Sequence, residues 1–337
     1  MKEDLMVLEK LEHLYLSNNL GTKEFQFAKA LIIEFWNFMG LKHKVPSVSE
    51  MTTDDINDFI AFLYSEKRSS LDEFIVLMRY MRILKKNDCF IELTKYTGIL
   101  DVVDNILLKL KQLHGQEILE LVTKDLDIPS LGMSPKQIPL FTAEFMRRLH
   151  AALPEEEVKK VLAGNNHGMS KEAMLPEKVE YENSNSFEEY LEGLHRRKVE
   201  ELIKYKEAGK VWFEQAITDE VIDFVSKNPE VLSGVIRDDF LYITKIPYDT
   251  EKYLSATTDK EMHYYACHCA FAREAVLQES HDISPIWCYC SGGFAKFPFE
   301  VILDQKLKVE SLENVLEGGK LCRFRIPLKG ISYKKKA

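Results

Sequence analysis

Over the first third of the chain apolar residues recur every three or four positions, as in Ala28, Leu31, Ile32, Phe35 and Trp36, then Ile56, Phe59, Ile60 and Leu63. That spacing puts them on one face of a helix, and the pattern predicts an all-helical unit from about Asp4 to His114. Breaks fall at Asn18-Asn19, across Gly40 to Ser47 with Pro46, and at Ser69-Ser70. Thr52 or Thr53, followed by Asp54 and Asp55, supplies a cap and first-turn acids for a helix running through Tyr64.

Asp127, Pro129, Gly132 and Pro135 interrupt the helical period, so residues 116–136 are read as a linker between domains at 1–115 and 137–337. The second domain opens with helices at Phe141 to Leu149 and, after Pro154, at Glu155 to Leu162. Asn165-Asn166-His167-Gly168 is a turn in which His167 reads as solvated, with a ligand role as the alternative. A serine-capped, charged helix spans Ser186 to Tyr205.

Past Gly209 the period shortens. Val211 to Glu214 and Phe240 to Ile243 read as strands around a helix at Asp219 to Ser226, which Asn228-Pro229 ends. Leu307 to Val315 and Leu321 to Leu328 alternate as a closing strand pair, turned by Glu317-Gly318-Gly319. The expected class is therefore α+β: an all-helical domain, then an antiparallel sheet carrying helices on one face.

A length of 337 residues favours two cores, each large enough to fold without disulfides. The charged start, Met1 to Met6, does not resemble a secretory signal, and no apolar run reaches the roughly 18 residues of a membrane helix. A cytoplasmic protein with reduced thiols is the expectation. The net charge of -9 disfavours a general nucleic-acid surface, and residues 1–115 carry 15 Lys and Arg against 17 Asp and Glu. Arg79, Arg82 and Lys86 share one helical face that can touch phosphates or simply be solvated. The Lys334-Lys335-Lys336 tail reads as a solubility feature, and Cys89 as a small core residue. A homodimer is compatible with this composition, though no residue specifies one.

Five of the six cysteines lie between Tyr264 and Phe324: Cys267-His268-Cys269, Cys288-Tyr289-Cys290 and Cys322. If both short phrases are extended, each points its two sulfurs the same way, and together they can offer four thiolates to a tetrahedral ion with Cys322 as a fifth. Zinc is the expected ion, with an iron–sulfur cluster as the alternative. Redox or nucleophilic thiol chemistry, with His268 or His263 as base, and inert core cysteines stay open. Tyr264, Tyr265, Trp287, Tyr289 and Phe294 are candidate pocket walls. Gly292-Gly293 marks a tight turn or a close backbone approach. A short helix follows at Phe294 to Leu303 with Pro298 near its first turn. Glu300, in that apolar segment, is a candidate metal ligand or raised-pKa acid, or else its solvent-facing position.

Two resemblances add to these readings. The phrase Ser49 to Ile60, with the following helix through Phe74, Leu77, Met78 and Met81, resembles the amino-terminal helical, core-binding domain of tyrosine recombinases, which implies DNA as a partner. No Arg, His and Tyr catalytic set follows it. Trp287 to Ile326, with its cysteines, glycine-aromatic phrase and closing Gly318-Gly319-Lys320-Leu321-Cys322-Arg323-Phe324, resembles vinyl-reductase-type small-molecule-binding domains and the aminothiazoline-carboxylate hydrolase family. The Cys-His-Cys and Trp-Cys-Tyr-Cys phrases are also similar to those of a bacterial cysteine-rich family. Cys288 or Cys290, and Cys322, match the pattern; where zinc-binding sensor members carry an acid and a cysteine, this chain has Ser311 and Asn314, with Glu310 one position off.

The expectation is a small-molecule-binding or sensing protein whose Cys267, Cys269, Cys288, Cys290 and Cys322 hold a metal. The alternative is a metal- or thiolate-dependent hydrolase of a small cyclic carbon–nitrogen substrate, with Glu300 or His268 as general base.

Overall fold

The computed structural model describes residues 2–43, 50–278 and 282–335. Packing divides the chain into two units, one of Met1–Gly98 with Pro129–Pro135, the other of Ile99–Ile128 with Lys136–Ala337.

The first unit is helical: α1 (Lys2–Ser17), α2 (Thr22–His43), α3 (Thr53–Ser65), α4 (Leu71–Leu84) and α5 (Asn87–Thr97). Two helix starts follow from local chemistry. The Thr52 amide donates to Asp55 at 2.9 Å in a capping box, and Ser70 with Glu73 repeats the device for α4. Phe35 meets Phe59 edge-on at 4.9 Å, and the Trp36 indole N–H donates to the Tyr80 hydroxyl at 2.7 Å. Cys89 is fully buried, as expected of a core residue. The break expected from Gly40 is not seen as far as His43, where α2 continues, and residues 44–47 lie outside the described residues. So does Lys336 of the basic tail.

In the second unit α6 (Val102–Thr123), bent at Gly115 where φ is 84°, precedes α7 (Ile138–Ala152), α8 (Glu155–Leu162), α9 (Leu175–Asn183), α10 (Phe187–Glu207) and α11 (Asp219–Lys227). The expected linker at 116–136 is thus part helix, and α6 belongs with α7 and α8 rather than with the amino-terminal helices. Nothing in the local period of α6 states which core its apolar stripe covers.

Strands β1 (Val235–Arg237) and β2 (Phe240–Thr244) come next, then α12 (Thr250–Ser255), α13 (Asp259–Ala266), α14 (Arg273–Leu277), α15 (Tyr289–Leu303), β3 (Glu310–Glu313) and β4 (Arg323–Pro327). The fold class is α+β. The sheet is antiparallel in the order β1-β2-β4-β3, with an irregularity in β3 at Ser311/Glu313. Leu241 pairs with Ile326 and Ile243 with Phe324, so these four buried side chains form one apolar face. Burying each contributes about 1.5–3 kcal/mol. Alternate positions carry charge over rings: Arg325 lies 4.3 Å from the Phe240 ring and Arg237 4.5 Å from that of Tyr242.

Val211 to Glu214 is not a strand. Phe213 has φ 51°, and Trp212 and Gln215 exchange backbone hydrogen bonds at 2.9 and 3.1 Å, closing a tight turn. The buried Gln215 side chain pins that turn by donating to the Pro247 carbonyl at 3.0 Å and accepting from the Thr250 amide at 3.1 Å. This clamp sets the position of Glu214.

Candidate functional site

Neither short cysteine phrase is a strand. Cys267-His268-Cys269 is a loop at the end of α13, where Cys267 itself is extended (φ -84°, ψ 110°). Ala272 and Arg273 donate their amides to the Cys269 carbonyl at 3.1 and 2.8 Å, which turns the chain into α14. The Thr142 hydroxyl of α7 ties the loop down through the Phe271 carbonyl at 2.8 Å.

Cys288 ends a 3-10 turn, Pro285–Cys288, that runs directly into α15. Proline at the first position suits such a start. On a helix residues two apart point about 200° from each other, so Cys288 and Cys290 face different neighbours. The expected helix at Phe294 therefore begins at Tyr289, and Gly292-Gly293 is not a turn but a close approach. A Cβ on Gly293 would stand 2.2 Å from the Gly164 carbonyl oxygen, and one on Gly292 would meet Val309 and Phe324 at 3.2 and 3.3 Å.

Cys267, Cys288 and Cys322 each lie close enough to other cysteines of the candidate set to feel their charge, Cys269 among them in every case. Among these four, the Cys269 sulfur accepts an N–H hydrogen bond. The Trp287 indole donates to Cys269 Sγ at 3.2 Å, and nearby backbone amides favour the thiolate form at Cys267, Cys269 and Cys322. Burial pushes all four thiols above the ordinary range, and neighbouring sulfurs add to the shift at Cys267 and Cys288.

Cys290 is linked to this group through Cys269, whose charge adds to burial in raising its thiol, and it has further partners of its own. Its sulfur lies 3.5 Å from Asn166 Nδ2 and 3.9 Å from His167 Nε2, and burial pushes its thiol up to about 12. His167 is exposed as a residue, while its ring packs against Phe294; desolvation there and the Lys245 ammonium push it down to about 4. The Phe294 ring sits between these groups, 5.2 Å from the His167 ring and 4.8 Å from the Lys245 ammonium. Cys290 is 123 positions from His167 in the chain, so the local turn phrase does not show this contact.

His268 Nδ1 is 3.3 Å from Glu214 Oε2. Burial pulls Glu214 up, but the His268 contact and the Arg273 and Lys245 charges outweigh it, and its carboxyl is lowered. Burial pushes His268 down, beyond what Glu214 restores. The two directions conflict if Glu214 is taken to need a charged imidazole; Arg273 and Lys245 supply positive charge without one, so the pair is ionised Glu214 with neutral His268. A carboxylate only accepts, which assigns the proton to Nδ1 and leaves Nε2 as a buried lone pair with no partner among the described residues.

The remaining candidates divide. Tyr264 donates to Glu274 at 2.9 Å, inside the cluster. Trp287 is 1% exposed and packs against Phe271 and Phe145 at 5.3 and 6.4 Å. Tyr265 and Tyr289 instead face Lys252 and Lys159, at 5.6 and 5.5 Å. Glu300 is neither solvent-facing nor open to a ligand: it bonds Lys296 Nζ at 2.5 Å and accepts the Leu307 amide at 3.0 Å, fastening the end of α15 to the next loop.

No protein-family profile, curated protein or solved structure matches this chain.

No helix among the described residues is long and apolar enough to cross a membrane. In the first unit the phosphate-facing candidates are engaged locally. Arg79 lies 5.0 Å from the Tyr15 ring, Arg82 4.5 Å from that of Phe90, and Lys86 donates to the Met51 carbonyl at 3.1 Å.

Proposed function

We propose that the second unit is a small-molecule-binding, sensing module built beside a soft metal site, with Cys267, Cys269, Cys288 and Cys322 as the ligand set and zinc as the ion. The observation that carries this reading is the Trp287 indole N–H, which donates to the Cys269 sulfur at 3.2 Å. An indole N–H aimed at sulfur suits a thiolate, and thiolates this buried require a positive partner. The same burial that opposes free thiolates favours exchange of their protons for a metal.

The donor chemistry fits the ion, but the convergence is not yet present. Among the described residues no three His, Cys, Asp or Glu side chains stand together closely enough to hold a metal, so the reading includes side-chain rotation on binding. Four thiolates would close the coordination shell, which favours a structural or sensing role over a hydrolytic one. Cobalt substitution tests it: thiolate-to-cobalt absorption with tetrahedral bands supports the reading, and a spectrum of hydrated cobalt refutes it.

A second reading, a thiol-dependent hydrolase, rests on the 3.9 Å contact between Cys290 and His167. It replaces Glu300 and His268 as base by His167. With the thiol pushed up to about 12 and the imidazole down to about 4, the proton stays on sulfur at neutral pH, and this reading ranks second.

A further inference from the structure

The sheet has two unlike faces. α15 lies on the apolar one, where Gly292 meets Phe324. The other carries Arg237 on β1, Phe240 and Tyr242 on β2, and Arg323 and Arg325 on β4. Arg237 pairs with Phe240 and Tyr242 with Arg325 across the strands, and residues paired in this way point to the same side. Both rings are half-buried, with centres 6.3 Å apart. Guanidinium groups lie over both. Arg237 and Arg323 stand 4.5 and 5.5 Å from the centre of the Tyr242 ring, and Arg325 stands 4.3 Å from that of Phe240.

The acids that steady these arginines do not hide them. Glu230 accepts from Arg237, from Nε and Nη2 of Arg323 at 2.7 and 2.9 Å, and from the Thr244 hydroxyl at 3.0 Å. Its side chain is 15% exposed, against 48% for Arg237 and 36% for Arg323, so the carboxylate lies beneath and the cations meet water. Arg325 bonds Glu310 through Nε alone, at 2.6 Å. A guanidinium carries five N–H donors, and most of those on these three forks reach no carboxylate. Cross-strand pairing asks for one charge of each sign, which leaves the third arginine unexplained.

We infer that this face binds a single strand of nucleic acid, with phosphates on Arg237, Arg323 and Arg325 and bases stacked against Phe240, Tyr242 and the guanidinium planes. Arginine is planar, always charged and matched to phosphate oxygens, and bases stack on aromatic rings and on guanidinium groups alike. A duplex groove admits a helix or a two-stranded ribbon, not the flat face of a four-stranded sheet. An acidic peptide meets the same charges but gives the rings nothing to stack. From β1 to β4 is two strand spacings, about 10 Å, which takes roughly three nucleotides. Asp238 and Asp239 in the β1–β2 turn and Glu310 on β3 bound the patch, and with the net charge of -9 they keep the affinity low and sensitive to salt. The inference does not rest on the metal reading.

The test is fluorescence anisotropy of labelled oligouridylate and oligothymidylate with the full-length protein, over a series of salt concentrations. A duplex of the same length and a labelled oligoglutamate serve as comparisons. The expected result is saturable binding of at least one single strand at low salt, with a log–log salt slope of about −2, as three phosphate contacts give. Arg237→Gln should weaken it at least threefold and reduce the slope by about 0.7, and Phe240→Leu should weaken it at least fivefold. Arg237 lies on an edge strand with its side chain half in water, so its variant keeps the test valid where Phe240→Leu disturbs the sheet. Preference for the ribose or the deoxyribose strand identifies the source, and either supports the inference. No binding of a single strand at low salt overturns it, as does binding that Arg237→Gln leaves unchanged. Oligoglutamate bound as tightly makes this a surface for an acidic protein, and a duplex bound more tightly overturns the single-strand assignment.

Discussion

The indole N–H of Trp287 donates to the sulfur of Cys269 at 3.2 Å, and with it the phrase that closes one cysteine pair is anchored to the other. Trp287→Phe keeps a ring against Phe271 and removes the donor. We predict a loss of about 1–2 kcal/mol, from one hydrogen bond and a small void. Without that donor the Cys269 thiolate is less stabilised, so iodoacetamide labelling of Cys269 in metal-free protein slows. Unchanged stability and labelling would show the contact to be incidental.

The Gly164–Gly293 approach yields a sharper prediction. A methyl at Gly293 meets backbone at 2.2 Å, whereas one at Gly292 meets only the side chains of Val309 and Phe324 at 3.2 and 3.3 Å. Gly293→Ala should therefore destabilise by roughly 3 kcal/mol or more and Gly292→Ala by about 1 kcal/mol, read as the shift in urea midpoint. Equal effects at both positions would mean that the Gly164 backbone does not lie against α15 as described.

How much of this was legible in the sequence depends on the range of the interaction. Capping is local, and Thr52 with Asp55 and Ser186 with Glu189 form the caps that their spacing announces. The alternation of β2 and β4 is local too, and the sheet follows it. By contrast, Val211 to Glu214 has strand-forming residues, but the Gln215 clamp to Pro247 and Thr250 imposes a turn. Cys288 and Cys290 read equally well as strand or helix, because two glycines at 292 and 293 argue against a helix unless another backbone lies against them. That backbone, at Gly164, is invisible from the local phrase. His167 and Glu214 reached the site through contacts 123 and 54 positions away, and no spacing rule encodes those.

Lys109 gives a pH dependence of unusual sign. Burial, then the nearby Lys296 charge, pushes its ammonium down to about 8. Between there and the ordinary lysine range near 10.4 the unfolded chain binds more protons at this site than the folded one, so stability rises with pH. Below pH 8 the folded protein carries the unfavourable charge in full. Lys109→Met should raise the urea midpoint at pH 7 and flatten its rise between pH 8 and 10. A lower midpoint at pH 7 would contradict this.

Glu230 titrates in the opposite sense. Burial pulls its carboxyl up, but hydrogen bonds from Arg323, Thr244 and Arg237 outweigh burial and lower it. Its contribution is present above the ordinary glutamate value near 4.3 and is lost as pH falls through the lower folded value. Glu230→Gln should be less stable at pH 7, with the difference shrinking toward pH 3; a constant difference would exclude the ion pairs as its source.

The central claim is that Cys267, Cys269, Cys288 and Cys322 form one metal site. The most direct test is the zinc content of protein purified without added metal or chelator, together with a thiol count before and after chelation in the four single Cys→Ser variants and in Cys290→Ser. The account predicts about one zinc per chain, thiols that react only after chelation, and loss of zinc in the four variants but not in Cys290→Ser. Metal-free protein whose thiols react equally with and without chelator would contradict it.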